Sequence, residues 1–261
     1  MTAERRIQLV NALLSVPPFR LKAVRRALLR GRRAIVRARR RRLEKRGDDR
    51  LSRPALHDLD AALQRHLPER GGVFVEAGAF DGYEQSNTYF LESFRGWTGV
   101  LVEPVPGLYR EATRNRPGSR VFNAALGDSD QAGQQLTMRY GGLMSLVAGA
   151  QGDEARDAEH VATAFQYRLE DPYEFTVTAR TLTDVLDEAG VDRVDLLSLD
   201  VEGYEANVLR GLDLDRFAPR YLLVEMLDQD VRRPQIEAVL GDRYEWVEAP
   251  SPNDALYRRA S

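Results

Sequence analysis

Two acidic residues and two glycines are concentrated in residues 76–82, which read Glu-Ala-Gly-Ala-Phe-Asp-Gly. An apolar run at 73–77, which has the length and composition of a short buried strand, leads into this segment. Open α/β sheets bind their ligands at the carboxyl ends of the strands. A phosphate at such an edge prefers backbone amides and basic groups. The acidic side chains therefore favour a ligand with hydroxyl groups and positive charge, and a purely structural turn is the alternative.

Glu103 ends the next apolar run, 25 residues after Gly78. A carboxylate at a strand end can accept hydrogen bonds from both hydroxyls of a ribose, and hydrogen bonds to charged groups contribute about 1.5–3 kcal/mol. Dinucleotide folds use the same device, so Glu103 alone does not separate NAD from S-adenosylmethionine. The loop 78–82 does separate these two cofactors. In it, Ala79, Phe80 and Asp81 replace the second glycine of G-x-G-x-x-G and its neighbours, and their side chains would crowd a pyrophosphate. A nicotinamide oxidoreductase is therefore disfavoured.

A further group of carboxylates follows later strand-like runs. Asp200 ends the apolar run 194–200, and Glu202 comes two residues later. Charged side chains at the end of a buried strand are costly unless they are satisfied, so we interpret the pair as functional, with capping of the following helix as the alternative. Glu225 closes the run 221–225 in the same way, with pairing to an arginine as its alternative.

These carboxylates need a scaffold that brings several strand ends to one edge. The chain alternates strand-like and helix-like segments, which predicts a parallel sheet with helices on both faces. The predicted strands are 73–77, 98–103, 120–125, 194–200 and 221–226, and the helices that alternate with them are 84–94, 107–115 and 203–211. Two further runs, 244–247 and 254–258, predict an antiparallel pair at the C-terminal end.

Two segments stand outside this alternation. Residues 54–67 are predicted to form a helix whose leucines at 56, 59, 63 and 67 share one face. Residues 127–175 are polar and glycine-rich, and a connection of this length is usually an insertion or a lid. We predict a helix over 153–168 within it.

Composition excludes several classes of function. The 261 residues are 43% hydrophobic and contain no cysteine, which rules out a disordered chain, thiol nucleophiles, disulfides and cysteine-ligated zinc. No apolar run is long enough to span a bilayer. The three histidines, His57, His66 and His160, are too few for a histidine-rich metal site. Acid–base chemistry is therefore expected to rest on carboxylates.

The first fifty residues differ sharply from the rest of the chain. They hold 17 basic and four acidic residues, a balance of +13, whereas residues 51–261 have a balance of −15. From Phe19, apolar residues recur at helical spacing among the arginines, at Leu21, Val24, Leu28 and Ile35. A solvated tail, a helix on an anionic membrane surface and a nucleic-acid-binding arm are the alternatives. Nucleic acid is disfavoured because Phe19 is the arm's only aromatic residue.

We therefore predict a basic arm over 1–50 and a folded domain over 51–261. The absence of cysteine fits a reducing compartment. We expect a cytoplasmic protein that associates peripherally with the inner face of an anionic membrane through the arm.

Several motifs together indicate a family. In chain order they are Val-Phe-Val-Glu-Ala-Gly-Ala-Phe-Asp-Gly (73–82), Ser86-Asn87-Thr88 with Leu91-Glu92, Gly96-Trp97-Thr98-Gly99 with Val102-Glu103-Pro104, Ala124-Ala125-Leu126-Gly127-Asp128, Thr181-Leu182-Thr183 and 200–205. In order and spacing they resemble the FkbM-type S-adenosylmethionine-dependent methyltransferases over about 71–226. One departure is Glu76, where an aspartate is more usual.

The resemblance implies a Rossmann-like class I methyltransferase fold with a seven-stranded, mostly parallel sheet. It also implies S-adenosyl-L-methionine as the cofactor, and O-methylation of a sugar hydroxyl, in a glycan or glycolipid, or of a polyketide hydroxyl. A small-molecule or glycan acceptor is therefore expected. The competing class is a catalytically inactive methyltransferase-fold binding module tethered by the basic arm.

By position, the resemblance also implies roles for individual residues. The cofactor-binding set is Glu76, Gly78, Ala79, Phe80, Asp81, Gly82, Asn87, Glu103, Pro104, Asn123, Ala124 and Asp200. In that set residues 76–82 would surround the methionine part, Glu103 would hold the ribose, and Asn123 with Ala124 would lie near the adenine. Asp200 would face the amino or sulfonium end.

Methylation of a hydroxyl requires removal of its proton, and a positioned base contributes about 10²–10⁴-fold. Asp200, Glu202 and Glu225 are the predicted catalytic residues, and His160 is a further candidate. Alternatively, Asp200 and Glu202 hold a divalent cation that activates a sugar diol.

Overall fold

The structure is a computed structural model that describes residues 18–168 and 172–260. The chain divides into two compact units, Met1–Asp48 and Asp49–Ser261. In the first unit, helix α1 spans Pro18–Glu44, where a basic helix is predicted. The side chains of Leu21 and Val24, which belong to the predicted apolar stripe, lie outside the described part of the chain.

The second unit contains both strands and helices. Its strands are β1 Val73–Ala77, β2 Thr98–Val102, β3 Arg120–Phe122, β4 Ala125–Leu126, β5 Gln135–Tyr140, β6 Leu146–Val147, β7 Tyr173–Arg180, β8 Leu196–Leu199, β9 Tyr221–Glu225, β10 Tyr244–Glu248 and β11 Asp254–Arg259. Its α-helices are α2 Leu59–Leu63, α3 Tyr89–Arg95, α4 Pro106–Asn115, α5 Glu154–Arg168, α6 Leu182–Ala189, α7 Glu205–Arg210 and α8 Gln229–Leu240.

Seven of these strands form the main sheet, in the order β10-β11-β9-β8-β1-β2-β3. The five strands from β9 to β3 in this order are parallel, and β11 runs antiparallel to both of its neighbours. This arrangement confirms the predicted α/β fold with a mostly parallel sheet and an antiparallel C-terminal pair. It brings the carboxyl ends of β1, β2, β8 and β9 to one edge.

Apolar layers cover both faces of this sheet. Successive strand residues point to opposite faces, and neighbouring residues of β1 accordingly enter different cores. Val75 packs in one cluster with residues of α6, α7 and α8, and Phe74 packs in another with residues of α2 and α3. Both side chains are fully buried, which explains why three apolar residues stand in succession at 73–75 instead of alternating with polar ones.

Strands within and beside the predicted insertion form a second sheet, with the order β4-β7-β5-β6. The predicted third strand, 120–125, is therefore wrong at its end. β3 stops at Phe122, and Ala125–Leu126 pairs with β7 of the second sheet instead. Helix α5, Glu154–Arg168, lies where a helix is predicted.

Two predicted helices are shorter than expected. Residues 54–67 form a 3₁₀ turn, Leu56–Asp58, followed by the short helix α2, because His57 and Asp58 have φ of 52° and 54°. As a result Leu56 is 48% exposed. The helix predicted from 84 begins only at Tyr89, since the residues before it donate hydrogen bonds to a buried carboxylate of β1.

Candidate functional site

A cavity of about 550 Å³ opens at the carboxyl edge of the parallel strands. Its walls include Gly78 after β1, Glu103 after β2, Asp200 after β8 and Glu225 at the end of β9. The second sheet and its connections add apolar side chains, namely Leu126, Met138, Leu143, Met144 and Val147. The volume lies in the range of about 300–1,000 Å³ that small-molecule and cofactor pockets occupy.

Glu103 ties the ends of two strands together. Its Oε1 accepts a hydrogen bond from the backbone N–H of Val105 at 2.8 Å, and its Oε2 accepts one from Phe80 at 2.8 Å. The side chain is buried, and burial raises the pKa of Glu103 to about 8. Each carboxylate oxygen can accept a second hydrogen bond. Glu103 therefore positions the loop after β1 and can still accept from hydroxyl groups.

Phe80 takes a backbone conformation that residues other than glycine rarely adopt. Its φ is 51°, and such strain persists only where the surroundings over-determine it. Here the hydrogen bond from its N–H to Glu103 supplies part of that constraint. Phe80 thereby lines the cavity, together with Ala79.

The carboxylate of Glu76 is hydrogen-bonded and ion-paired to other residues of the protein. Its carboxylate accepts hydrogen bonds from Ser86 Oγ at 2.9 Å, Asn87 N at 2.9 Å and Thr88 Oγ1 at 2.7 Å. Arg116 Nη1 lies 3.2 Å from Glu76 Oε2 and is fully buried with it. A buried carboxylate needs partners of this kind, because an unsatisfied polar group is costly inside a protein. Glu76 therefore anchors the segment 86–88 along one wall of the cavity.

The two glycines of the first motif are required by packing. A Cβ at Gly78 would lie 1.8 Å from the carbonyl oxygen of Asp200, and φ at Gly78 is +82°. A Cβ at Gly82, where φ is +76°, would lie 2.8 Å from Arg116 Cγ and 3.0 Å from Ala112 Cα. Gly78 thus lets the ends of β1 and β8 approach closely, and Gly82 lets the loop lie against α4.

Nine of the predicted cofactor-binding residues line the cavity: Glu76, Gly78, Ala79, Phe80, Asn87, Glu103, Pro104, Ala124 and Asp200. Asp81, Gly82 and Asn123 stand outside this lining. Asp81 Oδ1 accepts from the N–H groups of residues 83 and 84 and so stabilises its own turn. Asn123 Nδ2 donates to the carbonyls of Glu103 and Pro104, both at 2.9 Å, and so supports the end of β2.

The three predicted catalytic carboxylates meet in the cavity. One oxygen from each of Asp200, Glu202 and Glu225 lies within 4.8 Å of the others, and we refer to these residues as the acidic cluster. Burial, followed by repulsion from Glu202, raises the pKa of Asp200 to about 7. Burial also raises the pKa of Glu202, to about 8, and raises that of Glu225 further.

Protons are therefore shared within the acidic cluster near neutral pH, because like charges this close cannot all ionise. Glu225 holds its proton most tightly, because burial, followed by repulsion from Asp200 and Glu202, raises its pKa the most. Its Oε2 atom is buried without a hydrogen-bond partner among the described residues. Such a cluster can accept a proton or offer oxygen ligands to a divalent cation.

His160 of α5 reaches the acidic cluster. Its Nε2 lies 2.8 Å from Glu202 Oε2, and burial lowers the pKa of His160. The backbone of Glu202 is held as well, with φ of 57° and a hydrogen bond from Gln151 Nε2 to its carbonyl at 2.8 Å. The predicted insertion therefore fixes the conformation of Glu202 through two contacts.

Sequence reasoning did not assign Glu205, Tyr204 or Asn253 to the site. Glu205 Oε1 accepts from the N–H groups of Val201 and Gly203, which closes the turn between β8 and α7. Tyr204 and Asn253 line the cavity. The position of Glu205, three residues after Glu202 at the start of a predicted helix, is the signal that could have indicated a turn-stabilising carboxylate.

Comparison with known proteins gives one family match and several distant relatives. Residues 76–245 match the methyltransferase FkbM domain. Methyltransferase sdnD of Sordaria araneosa is 41% identical over 76 residues, which are 26% of this chain and 29% of that protein. Methyltransferase FkbM from Methylobacillus flagellatus aligns with a TM-score of 0.42 and 15% identity, over 72% of this chain and 43% of that chain.

A further solved structure is Aeropyrum pernix fibrillarin in complex with natively bound S-adenosyl-L-methionine. It aligns with a TM-score of 0.41 and 17% identity, over 77% of this chain and 74% of that chain. The chain spans less than a third of sdnD and less than half of the Methylobacillus protein.

Proposed function

Because the chain belongs to the methyltransferase FkbM domain family, we propose that it transfers a methyl group from S-adenosyl-L-methionine to the hydroxyl of a sugar or a polyketide. The family match confirms the family and the cofactor that the motifs predict. The observation that carries the proposal is one cavity in which Glu103 and the acidic cluster both stand at strand ends. The nature of the acceptor rests on what FkbM-type enzymes typically methylate.

The residues present fit the cofactor. Glu103 can still accept hydrogen bonds from the two ribose hydroxyls. The apolar side chains of Val102 and Leu126 offer a surface against which the adenine ring of the cofactor can pack. When bound, S-adenosyl-L-methionine supplies a methyl group on a positively charged sulfonium. The carboxylates of the cavity stabilise a positive charge nearby, so the donor set suits this ligand better than it suits a dinucleotide.

The acidic cluster is proposed to remove the acceptor proton. A general base works best when its pKa lies near the operating pH, and the pKa values of Asp200 and Glu202 are about 7 and 8. His160 orients Glu202, and Met138 and Leu143 add apolar surface to the same cavity. A low-dielectric, positioned site strengthens each of these interactions.

The same three carboxylates could instead hold a divalent cation that binds and acidifies an acceptor diol. Their spacing allows one ion to contact an oxygen of each. EDTA separates the two roles. A carboxylate base predicts unchanged turnover in EDTA, and a cation predicts lost turnover that added Mg²⁺ or Mn²⁺ restores.

The function is tested by incubating the purified protein and isotopically methyl-labelled S-adenosyl-L-methionine with glycan and lipid extracts. The extracts come from a strain that lacks the protein, so that acceptors are unmethylated. We expect label to enter an extract component with wild-type protein and with Asp242→Asn, an exposed aspartate outside the cavity. At least one of Asp200→Asn and Glu202→Gln should reduce incorporation by about 100-fold or more.

Two results would contradict the proposal. If both cavity variants retain near-wild-type turnover, the acidic cluster is not the catalytic group. If no extract component is labelled although calorimetry shows that S-adenosylhomocysteine binds, the inactive binding module becomes the better interpretation. Binding of NADH in place of S-adenosylhomocysteine would favour an oxidoreductase.

A further inference from the structure

Helix α1 concentrates positive charge to an unusual degree. Its 27 residues, Pro18–Glu44, include 12 arginines and lysines and a single acidic residue, Glu44. At a rise of about 1.5 Å per residue the helix is roughly 40 Å long. Like charges at helical spacing repel one another, so a helix of this composition is stabilised by anions.

The same helix exposes large apolar side chains among those charges. Leu28 is 69% exposed, Ile35 is 71% exposed and Val36 is 41% exposed. Leu28 and Ile35 stand seven residues apart, which places them on one face of the helix, two turns from each other. Single exposed leucines are ordinary on protein surfaces, but an apolar stripe on a strongly basic helix is the pattern of helices that lie in a membrane interface.

We propose that α1 is an interfacial helix that binds the surface of an anionic phospholipid membrane. Arginines on such a helix contact lipid phosphates, and Leu28, Ile35 and Val36 enter the boundary between headgroups and acyl chains. Among the described residues no helix has the length and apolarity that crossing a bilayer requires. The proposed binding mode is peripheral, and it is independent of the methyl transfer proposed above.

A lipid surface fits these observations better than a nucleic acid does. Nucleic acid would engage the arginines through phosphates alone, and it gives no reason for Leu28 and Ile35 to be apolar. Base stacking needs aromatic side chains, and α1 contains one aromatic residue, Phe19. The two partners therefore differ in a measurable way, because only the membrane depends on the apolar side chains.

The test is co-sedimentation of the full-length protein with vesicles. Vesicles of phosphatidylglycerol and phosphatidylcholine in equal parts are compared with pure phosphatidylcholine. One variant combines Leu28→Ser with Ile35→Ser and keeps every charge. A second combines Arg39→Gln with Arg42→Gln, two exposed arginines of α1.

The matched controls lie in the second unit. Val231→Ser removes an apolar side chain that is 51% exposed, and Arg233→Gln removes an arginine whose side chain is 42% exposed. Affinity for S-adenosylhomocysteine, measured by calorimetry, checks that every variant is folded. That affinity should not change in the α1 variants.

We expect wild-type protein to bind the anionic vesicles and not the neutral ones. The apolar variant should bind the anionic vesicles at least about tenfold more weakly than the wild type. In the arginine variant, each substitution should lower the affinity for these vesicles by about fivefold. Both controls should bind as the wild type does. Raising the salt from about 0.1 M to about 1 M should weaken binding, because the Debye length falls from about 10 Å to about 3 Å.

Three results would overturn the proposal. Equal binding by the apolar variant and the wild type would show that α1 does not enter a lipid interface. Equal binding to neutral and anionic vesicles would show that attraction between the arginines and anionic headgroups does not drive binding. Preferential binding of an RNA or DNA oligonucleotide that displaces the vesicles, unchanged in the apolar variant, would assign the helix to nucleic acid.

Discussion

Replacing Glu103 by glutamine is the sharpest perturbation of the cofactor pocket. Both carboxylate oxygens already accept a backbone N–H at 2.8 Å, one from Val105 and one from Phe80. Glutamine keeps the length of the side chain but retains a single acceptor oxygen. It therefore cannot ionise when the cofactor binds, and it loses one of the two oxygens to which a ribose hydroxyl can donate.

The magnitude follows from the strength of hydrogen bonds to a charged group. Loss of one such bond costs about 1.5–3 kcal/mol, which corresponds to roughly 10- to 150-fold weaker binding. The stability without ligand should change less. One backbone hydrogen bond is lost, but a buried carboxylate whose pKa is raised to about 8 is also removed. We expect the melting temperature to shift by only about 2–4 °C.

Isothermal titration calorimetry with S-adenosylhomocysteine measures the effect. Glu69→Gln is the control, because it makes the same chemical change on a side chain that is 81% exposed. Its affinity should equal that of the wild type. A dissociation constant for Glu103→Gln within about twofold of wild type would refute the assignment of Glu103 to the ribose.

Three further predictions concern stability, each followed by chemical unfolding. Gly78→Ala should prevent stable folding, because its Cβ would lie 1.8 Å from the carbonyl oxygen of Asp200; Gly96→Ala, with a similar positive φ but open space, should cost far less. Arg116→Met should cost about 3–5 kcal/mol, since it leaves the buried Glu76 and the partly buried Glu92 without their cationic partner; a loss below about 1 kcal/mol contradicts this. Burial raises the pKa of Glu103 and Asp200 above their unfolded values of 4.5 and 3.8, so stability without ligand should fall as pH rises from about 5 to 8. A stability that increases over this interval contradicts the reasoning.

The sequence predicted the main sheet because its strands are buried on both faces. Residues 73–77 and 196–199 are apolar apart from Glu76 and Ser198, and parallel strands between helical layers have that character. The second sheet was not predicted. β5 exposes alternate residues and buries Met138 and Tyr140 between them. Only about every second residue is therefore apolar, whereas nearly all residues are apolar in a strand buried on both faces. Glycines also stand on both sides of the segment. Half-buried strands of this kind are hard to distinguish from polar loops.

The residues of the site that stand at the ends of strands were predicted from the sequence. Asp200, Glu202 and Glu225 follow strands that neighbour one another, so their meeting follows from the topology. The partners of Glu76 and Glu202 were not predicted. Arg116 lies 40 residues from Glu76, and His160 lies 42 residues from Glu202. Such pairs depend on how α4 and α5 pack, which periodicity does not encode.

The central claim is tested most directly by comparing the glycans and lipids of a wild-type strain with those of a strain that lacks the protein, by mass spectrometry. The account predicts that the deletion accumulates a species lighter by one methylene group than its wild-type counterpart. Expression of wild-type protein should restore the heavier species, and Asp200→Asn combined with Glu202→Gln should not. If no species changes in mass, or if the double variant restores it fully, methyl transfer at this acidic cluster is contradicted.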